Sequence, residues 1–170
     1  MSAALTTRIA ATAIAAGIAG AALSLNPVAT TQASADVSVK VKDNKRGKIL
    51  RDRVAKIAKA QAGESYVMGA TGPNAFDCSG LVVYSYRKAT GKTLPRTSYA
   101  QIASLDHVRK RDRKVGDVVF FRGGGHVGIY LGKNRIVHAL NPGAGVRFDS
   151  TTSGWSGSSI TGYGRVIEHR

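Results

Sequence analysis

Beyond residue 47, apolar residues in the first half of the chain follow a helical repeat. Between residues 48 and 62 they fall on one stripe at spacings of three and four, which predicts an amphipathic helix that ends at Gly63. Two more helices are predicted, one at Ser79–Thr90 that stops at Gly91 and a shorter one near Ser98–Leu105. The segment 64–76 is rich in Gly and Pro and is predicted to be a loop.

After Gly116 the pattern changes to short runs rich in β-branched and aromatic residues, separated by Gly, Asn and Ser. The runs are 117–121, 126–131, 135–140, 146–148 and 163–167. Helices followed by strands predict an α+β domain, in which N-terminal helices pack on a C-terminal antiparallel sheet. The Ser-, Thr- and Gly-rich segment 150–159 is predicted to be a surface loop.

The first 35 residues have the order of a secretory signal. Arg8 is the only charged side chain before Asp36, an apolar run follows it, and Ala33-Ser34-Ala35 provides a cleavage site. A membrane anchor is the alternative, but the apolar run is shorter than the roughly 18–20 residues that a span needs. We therefore expect a signal peptide at 1–35, a flexible basic lead-in at 36–47 and one domain at 48–170, with no membrane span after signal removal.

The chain is strongly basic, with a net charge of +15. Much of this charge lies in two clusters, at 40–53 and 109–114. Nucleic acid is a frequent partner of such a surface, but an exported protein does not meet it, so no nucleic acid is expected. We expect the basic surface to bind anionic polymers outside the cell. We also expect the protein to be a monomer. A solvated surface that serves solubility alone is the alternative.

Cys78 is the only cysteine, so no internal disulfide can form. It lies where the predicted loop becomes a helix, and free N–H groups at a helix start can lower a thiol pKa and bind a developing oxyanion. We expect Gly80 to let the backbone approach a substrate. Asp77 is either the N-cap of the helix or a ligand for a substrate amine. A buried, inert cysteine is the alternative for Cys78 itself.

A nucleophilic cysteine needs a nearby base, and four histidines are present. His107 lies in a charged segment and His169 is next to the last residue. His126 opens a predicted strand after three glycines, and His138 lies twelve residues later in the next strand. We therefore predict that His126 is the base and that His138 orients it.

The spacing of these two histidines restricts the hairpin that joins their strands. With a regular two-residue turn at Lys133-Asn134, His126 would pair opposite Asn141 and His138 opposite Ile129, so the rings would point to opposite faces. An odd-length loop or a bulge puts both rings on one face. We predict such an irregularity between Leu131 and Ile136.

These residues belong to a set of motifs, and with them the sequence resembles the NlpC-type cell-wall peptidases, a papain-like family of cysteine endopeptidases. The motifs are Phe76-Asp77-Cys78-Ser79-Gly80-Leu81-Val82, Leu94-Pro95-Arg96-Thr97-Ser98 with Gln101, Gly116-Asp117-Val118-Val119-Phe120-Phe121, His126-Val127-Gly128-Ile129-Tyr130-Leu131-Gly132 and His138. The resemblance covers about 51–168. It implies a papain-like fold with the catalytic cysteine at a helix N-terminus, and a Cys78–His126–His138 triad. No metal and no cofactor is implied.

The resemblance also implies binding roles for four further residues. Tyr66 would lend its hydroxyl to the oxyanion site, with simple packing as the alternative. Asp77 and Ser79 would hold the amine or carboxylate of a peptide, and Arg96 would do likewise or be merely exposed. One departure is Tyr66-Val67-Met68-Gly69-Ala70, where the family usually has Tyr-x-Trp-Gly-Gly. The other is that no wall-binding repeat accompanies the domain, so binding to the wall would depend on the basic surface.

Together with the predicted signal peptide and the basic surface, the resemblance implies a secreted, wall-associated endopeptidase that acts on peptidoglycan stem peptides through an acyl-enzyme. Its bond would be that from γ-D-glutamate to diaminopimelate or lysine. An amidase that cuts between muramic acid and L-alanine is one alternative. A non-catalytic wall-binding module, an exported effector and a lipid acyltransferase of related fold are others.

Overall fold

The computed structural model describes residues 45–166. The predicted signal peptide at 1–35, the part of the lead-in at 36–44, and His169 lie outside the described residues. Within them, no helix is both long and apolar enough to cross a bilayer.

Within 45–166, three α-helices lie where they were predicted and differ in their ends, and a fourth α-helix was not predicted. They are α1 (Lys45–Lys59), α2 (Cys78–Thr90), α3 (Ser98–Ser104) and α4 (Gly154–Ser159). Residues 45–47, expected in the flexible lead-in, are helical, since Lys and Arg are good helix formers. The predicted end of the first helix, at 60–62, forms turns instead, because the N–H groups of Gln61 and Ala62 bond to carbonyls three residues back rather than four. Gly91 ends α2 in the left-handed conformation, with φ of 78°.

α4 lies in the segment that was predicted to be a loop. Its Ser and Gly residues favour helices weakly, so local propensity gave no signal. Ser156 is buried, and its hydroxyl donates to the carbonyl oxygens of Ser150 and Ser153. These bonds tie α4 to the end of the preceding strand.

The strands form one six-stranded antiparallel sheet and one small parallel pair. The pair is β1 (Ser65–Tyr66) with β2 (Ala75–Phe76), and the sheet contains β3 (Asp106–Val108), β4 (Val118–Phe121), β5 (His126–Gly132), β6 (Arg135–Ala139), β7 (Val146–Ser150) and β8 (Ile160–Arg165). The order across the sheet is β3-β8-β4-β5-β6-β7. The pair and β3, two or three residues each, were not predicted because they are too short for a periodic signal. The α+β class with an antiparallel sheet is confirmed.

The two faces of the sheet carry separate apolar clusters. On one face Val127 and Ile129 of β5 belong to the same cluster as Leu81 and Val82 of α2, so this face is covered by the helices. On the other face Phe121, Tyr130, Ile136 and Tyr163 form a second cluster. The alternation along β5 therefore puts His126 on the second face, at the end of the strand nearest the start of α2.

Candidate active site

Cys78 is the first residue of α2, and Asp77 caps this helix. The backbone of Asp77 is extended, and its Oδ1 accepts a hydrogen bond of 2.7 Å from the N–H of Gly80. The N-cap interpretation of Asp77 is confirmed. Around the Cys78 sulfur, the N–H groups of Cys78 itself, Ser79 and Val127 act as hydrogen-bond donors. Val127 directly follows His126, so the sulfur lies at the point where the start of α2 meets the start of β5.

Tyr66 reaches the same point through the small parallel pair. The register pairs Tyr66 with Phe76, which brings a residue twelve positions before Cys78 beside the start of α2. Burial, followed by the charges of Cys78 and Asp77, raises the pKa of Tyr66. Its hydroxyl is therefore protonated at neutral pH and able to donate a hydrogen bond.

A cavity of about 860 Å³ opens above the cysteine. Six of the seven predicted site residues line it: Tyr66, Asp77, Cys78, Ser79, Arg96 and His126. The seventh, His138, is fully buried behind His126. Met68, which stands where the related family usually has tryptophan, also lines the cavity and is 77% exposed. The structure thus brings all seven residues into one region.

The hairpin that joins the two histidine strands has the predicted irregularity. Lys133 and Asn134 form a two-residue turn with φ of 47° and 58°, and Gly132 pairs with Arg135. Leu131 is then an extra residue, because the next pair is Tyr130 with Ile136. This bulge shifts the register by one, so His126 and His138 share a face. The prediction of a bulge between Leu131 and Ile136 is confirmed.

The two imidazoles are in direct contact, and a carboxylate lies behind them. His126 Nε2 is 2.8 Å from His138 Nδ1, and His138 Nε2 is 2.9 Å from Asp149 Oδ2. Gly128 leaves room for this arrangement, since a Cβ there would lie 3.1 Å from the Cβ of His138. His126, His138 and Asp149 therefore follow one another from the cavity, through the fully buried His138, to a partly exposed carboxylate.

The protonation states favour a neutral pair at rest. Burial lowers the pKa of His126 to about 3, and the charges of His138 and Arg122 act in the same direction. Burial also lowers the pKa of His138, although Asp149 opposes this. Burial, together with the charge of Asp77, raises the pKa of the Cys78 thiol above its usual value. The expectation that the helix start lowers this pKa is wrong, because desolvation outweighs the N–H groups around the sulfur.

Asp77, Ser79 and Arg96 form a polar cluster at one wall of the cavity. Arg96 donates from Nη1 to Ser79 Oγ at 2.9 Å and to Asp77 Oδ1 at 3.0 Å, and Nη2 donates to Asp77 Oδ2. Burial alone would raise the pKa of Asp77, but bonds from Arg96, Gly80 and Gly69 hold it below its usual range. Arg96 is thus not merely exposed. That the cluster holds a substrate group stays a prediction.

Glycine is required at position 80 for a different reason from the one expected. A Cβ at this position would lie 2.0 Å from the carbonyl oxygen of Ala70. The glycine therefore allows α2 to pack against the turn before it, and Ala70 itself accepts a hydrogen bond from the N–H of Asp77. The close approach is between two parts of the chain rather than between the chain and a substrate.

Two residues of the site were missed by the sequence prediction. Asp149 lies on β7, which was predicted to end at Phe148, and Arg122 lines the cavity just before His126. Alternation along β7 would have placed Arg147 and Asp149 on one face, but the register against β6 cannot be read from sequence. His107, which was set aside, lies exposed on β3.

Comparison with known proteins gives consistent matches. Residues 63–165 match the model of the NlpC/P60 family. A Corynebacterium glutamicum protein named as a probable endopeptidase is 51% identical over 85 residues, which cover 49% of this chain and 40% of that protein. The match therefore spans less than half the length of this relative.

Two solved structures have the same fold. The NlpC/p60 domain of the peptidoglycan hydrolase SagA superposes with a TM-score of 0.62 at 27% identity, covering 68% of this chain and 98% of that domain. RipD of Mycobacterium tuberculosis superposes with a TM-score of 0.58 at 25% identity, covering 69% of this chain and 98% of that one. RipD is described as a non-catalytic NlpC/p60 domain protein that is adapted to peptidoglycan binding.

Proposed function

This chain belongs to the NlpC/P60 family of peptidoglycan hydrolases, and from this premise we propose that it is a cysteine endopeptidase that cuts stem peptides through Cys78. One observation carries the proposal. The only thiol of the chain and a neutral, buried imidazole line the same cavity, and a second imidazole supports the first at 2.8 Å. A nucleophile, a base and a group that orients the base are the components of nucleophilic acyl transfer.

The reaction follows from these positions. The Cys78 thiol transfers its proton to His126 as the sulfur attacks the amide carbon. The carbonyl oxygen becomes an oxyanion, which the N–H groups at the start of α2 and the Tyr66 hydroxyl stabilise. His126 then gives the proton to the departing amine, and a thioester remains on Cys78. A water molecule, deprotonated by His126, attacks the thioester and releases the acid product, and the thiol recovers its proton.

The bond proposed is that from γ-D-glutamate to diaminopimelate or lysine. The cluster of Asp77, Ser79 and Arg96 supports binding of the charged end of a short peptide, because it places fixed charge on the cavity wall. The relative named as an endopeptidase supports this bond class over the muramoyl amidase alternative. Because the chain is similar to RipD, a role in binding alone is the second candidate. The presence of the cysteine and both histidines favours catalysis over this alternative.

We also propose that the protein is secreted and binds anionic wall polymers through α1. Exposed basic residues cover the outward side of this helix, among them Lys48, Arg53, Lys56 and Lys59. In the second basic cluster, Arg113 is a structural residue. Its guanidinium lies 5.1 Å from the ring centre of Tyr130 and donates to Asn134, so it contributes less to a binding surface.

The test is digestion of purified cell wall by the protein and by its Cys78→Ala variant, with the products identified by mass spectrometry. We expect stem peptides shortened between the second and third residues, and a loss of at least about 1,000-fold in rate for the variant. Ser104→Ala, an exposed helix position away from the cavity, is the matched control. Equal release of peptide by the unaltered protein and by Cys78→Ala would show that Cys78 is not the nucleophile. Release of intact stem peptides would indicate an amidase.

A further inference from the structure

Asp149 is the last member of the polar chain that starts at the cavity, and its side chain is 18% exposed on the edge strand β7. β6 and β7 pair His138 with Arg147 and Ile136 with Asp149, so the alternation puts Arg147 and Asp149 on the face of His138. One carboxylate oxygen faces His138 Nε2 at 2.9 Å, and the other accepts a hydrogen bond of 3.1 Å from Arg147. The two oxygens thus have different partners, which fixes the orientation of the carboxylate.

A carboxylate can only accept hydrogen bonds, and this determines the proton positions on both rings. His138 must carry its proton on Nε2 to donate to Asp149, so its Nδ1 is an acceptor when the ring is neutral. His126 must then donate from Nε2 to that Nδ1, and its own Nδ1 carries no proton. The bare nitrogen is the atom that can take a proton from the thiol.

We propose that Asp149 is a positioning residue, which acts through His138 to keep the Nδ1 of His126 unprotonated, so that this nitrogen can act as the base for Cys78. This inference rests on the proposed function. It goes beyond the three-residue triad because it makes the useful tautomer depend on a fourth residue. Without a carboxylate at position 149, no acceptor stabilises the tautomer of His138 that carries its proton on Nε2. The opposite tautomer then places a proton on Nδ1 of His126, and the base is lost.

The same chain assists the reaction after proton transfer. When His126 becomes an imidazolium, its Nε2–H still points at His138, whose other side is bonded to an anion. The ionised carboxylate stabilises the new charge through the intervening ring without taking a proton itself. Arg147 donates a hydrogen bond to the second oxygen of Asp149, and its positive charge also lies near His138. Its pairing keeps the Asp149 carboxylate directed at His138 rather than at solvent.

The test combines kinetics with nitrogen NMR of the histidine rings. We expect Asp149→Asn to lower kcat about 100-fold or more with little change in KM, because the substrate does not touch residue 149. Asp149→Glu should restore part of the loss, since it returns a carboxylate. Asp106→Asn, the same substitution at an exposed position on the opposite edge strand β3, should leave kcat within about twofold.

NMR of the ¹⁵N-histidine-labelled protein reads the tautomer without any turnover. We expect His126 to show an unprotonated Nδ1 and a protonated Nε2, and Asp149→Asn to shift this balance. A protonated Nδ1 in the unaltered protein, or full activity in Asp149→Asn, would overturn the proposal. Because the spectrum needs no substrate, an inactive parent protein would count against the proposed function alone. If Asp149→Asn fails to fold, the spectrum of the unaltered protein decides.

Discussion

At the scale of single residues, the proposed mechanism depends on the transfer of one proton from Cys78 to His126. Burial favours the neutral form of both groups, so it raises the pKa of the thiol and lowers that of the imidazole. A cysteine that rests as a thiolate reacts with any electrophile that reaches it. In the proposed mechanism the thiol therefore keeps its proton until a carbonyl is in place, and its reactivity then depends on substrate binding.

Alkylation of Cys78 tests this resting state. We expect the rate of iodoacetamide labelling, measured by mass spectrometry, to rise steadily from pH 6 to pH 9, because the raised pKa leaves little thiolate at neutral pH. The His126→Asn variant should show the same rising profile. A plateau of fast labelling between pH 5 and pH 8 would instead indicate a preformed thiolate–imidazolium pair.

At the scale of elements, a buried ion pair joins β8 to β4 beside the helices. Arg165 donates from Nε and Nη2 to the two carboxylate oxygens of Asp117, both at 2.7 Å, and Asp117 is fully buried. The N–H of Lys114 also donates to this carboxylate. Asp117 directly precedes β4, and the last residue of β4 pairs with His126. The ion pair therefore fixes the start of this strand.

Removal of one partner should show how much this join matters. We expect Arg165→Gln to lower the free energy of unfolding by about 3–5 kcal/mol, because it leaves a buried carboxylate without its counter-charge. Arg109→Gln breaks the exposed pair with Asp112 and is the matched control, with an expected loss of no more than about 1 kcal/mol. Urea unfolding measures both. Equal losses of unfolding free energy in Arg165→Gln and Arg109→Gln would mean that leaving Asp117 buried without its counter-charge does not destabilise the protein.

The elements also show what can be predicted from sequence. The bulge at Leu131 was predictable because strand alternation is simple arithmetic once two histidines must face one another. Asp149 was not, because its place beside His138 depends on how the loop between β6 and β7 sets the register. The raised thiol pKa was missed for another reason. Charges near a helix start can be read from sequence, but burial of the sulfur follows from the packed fold.

At the scale of the whole molecule, the buried histidines link stability to pH. The pKa of His126 falls to about 3 on folding and that of His138 is also lowered, both from an ordinary value of 6.5. Between the folded and unfolded pKa values the unfolded chain binds more protons. Stability is therefore fully present above about pH 6.5 and is lost as the pH falls.

Urea unfolding at several pH values tests this link. We expect the free energy of unfolding to decrease below pH 6.5 by up to about 1.4 kcal/mol per pH unit for each buried histidine. His126→Gln should reduce this slope, since it removes one titrating group. A free energy of unfolding that stays constant from pH 7.5 to pH 4.5 would show that the rings are protonated without cost in the folded protein.

The basic surface is also a property of the whole molecule, and its proposed role depends on salt. We expect co-sedimentation with purified wall to weaken several-fold in Lys56→Glu/Lys59→Glu, because these residues lie on the exposed side of α1. Lys92→Glu/Lys133→Glu makes the same change in net charge at other exposed positions and should weaken binding less. Equal weakening would indicate that total charge, rather than α1, attracts the protein.

The neutral resting pair has a consequence for inhibitor chemistry. A chloroacetamide reacts with a preformed thiolate and should therefore be slow and unselective here. A peptide aldehyde or nitrile adds the sulfur and the proton together, so the neutral pair can supply both at once. The proposed mechanism therefore favours such a reversible electrophile, carried by a short peptide that fills the cavity of about 860 Å³ and contacts Met68.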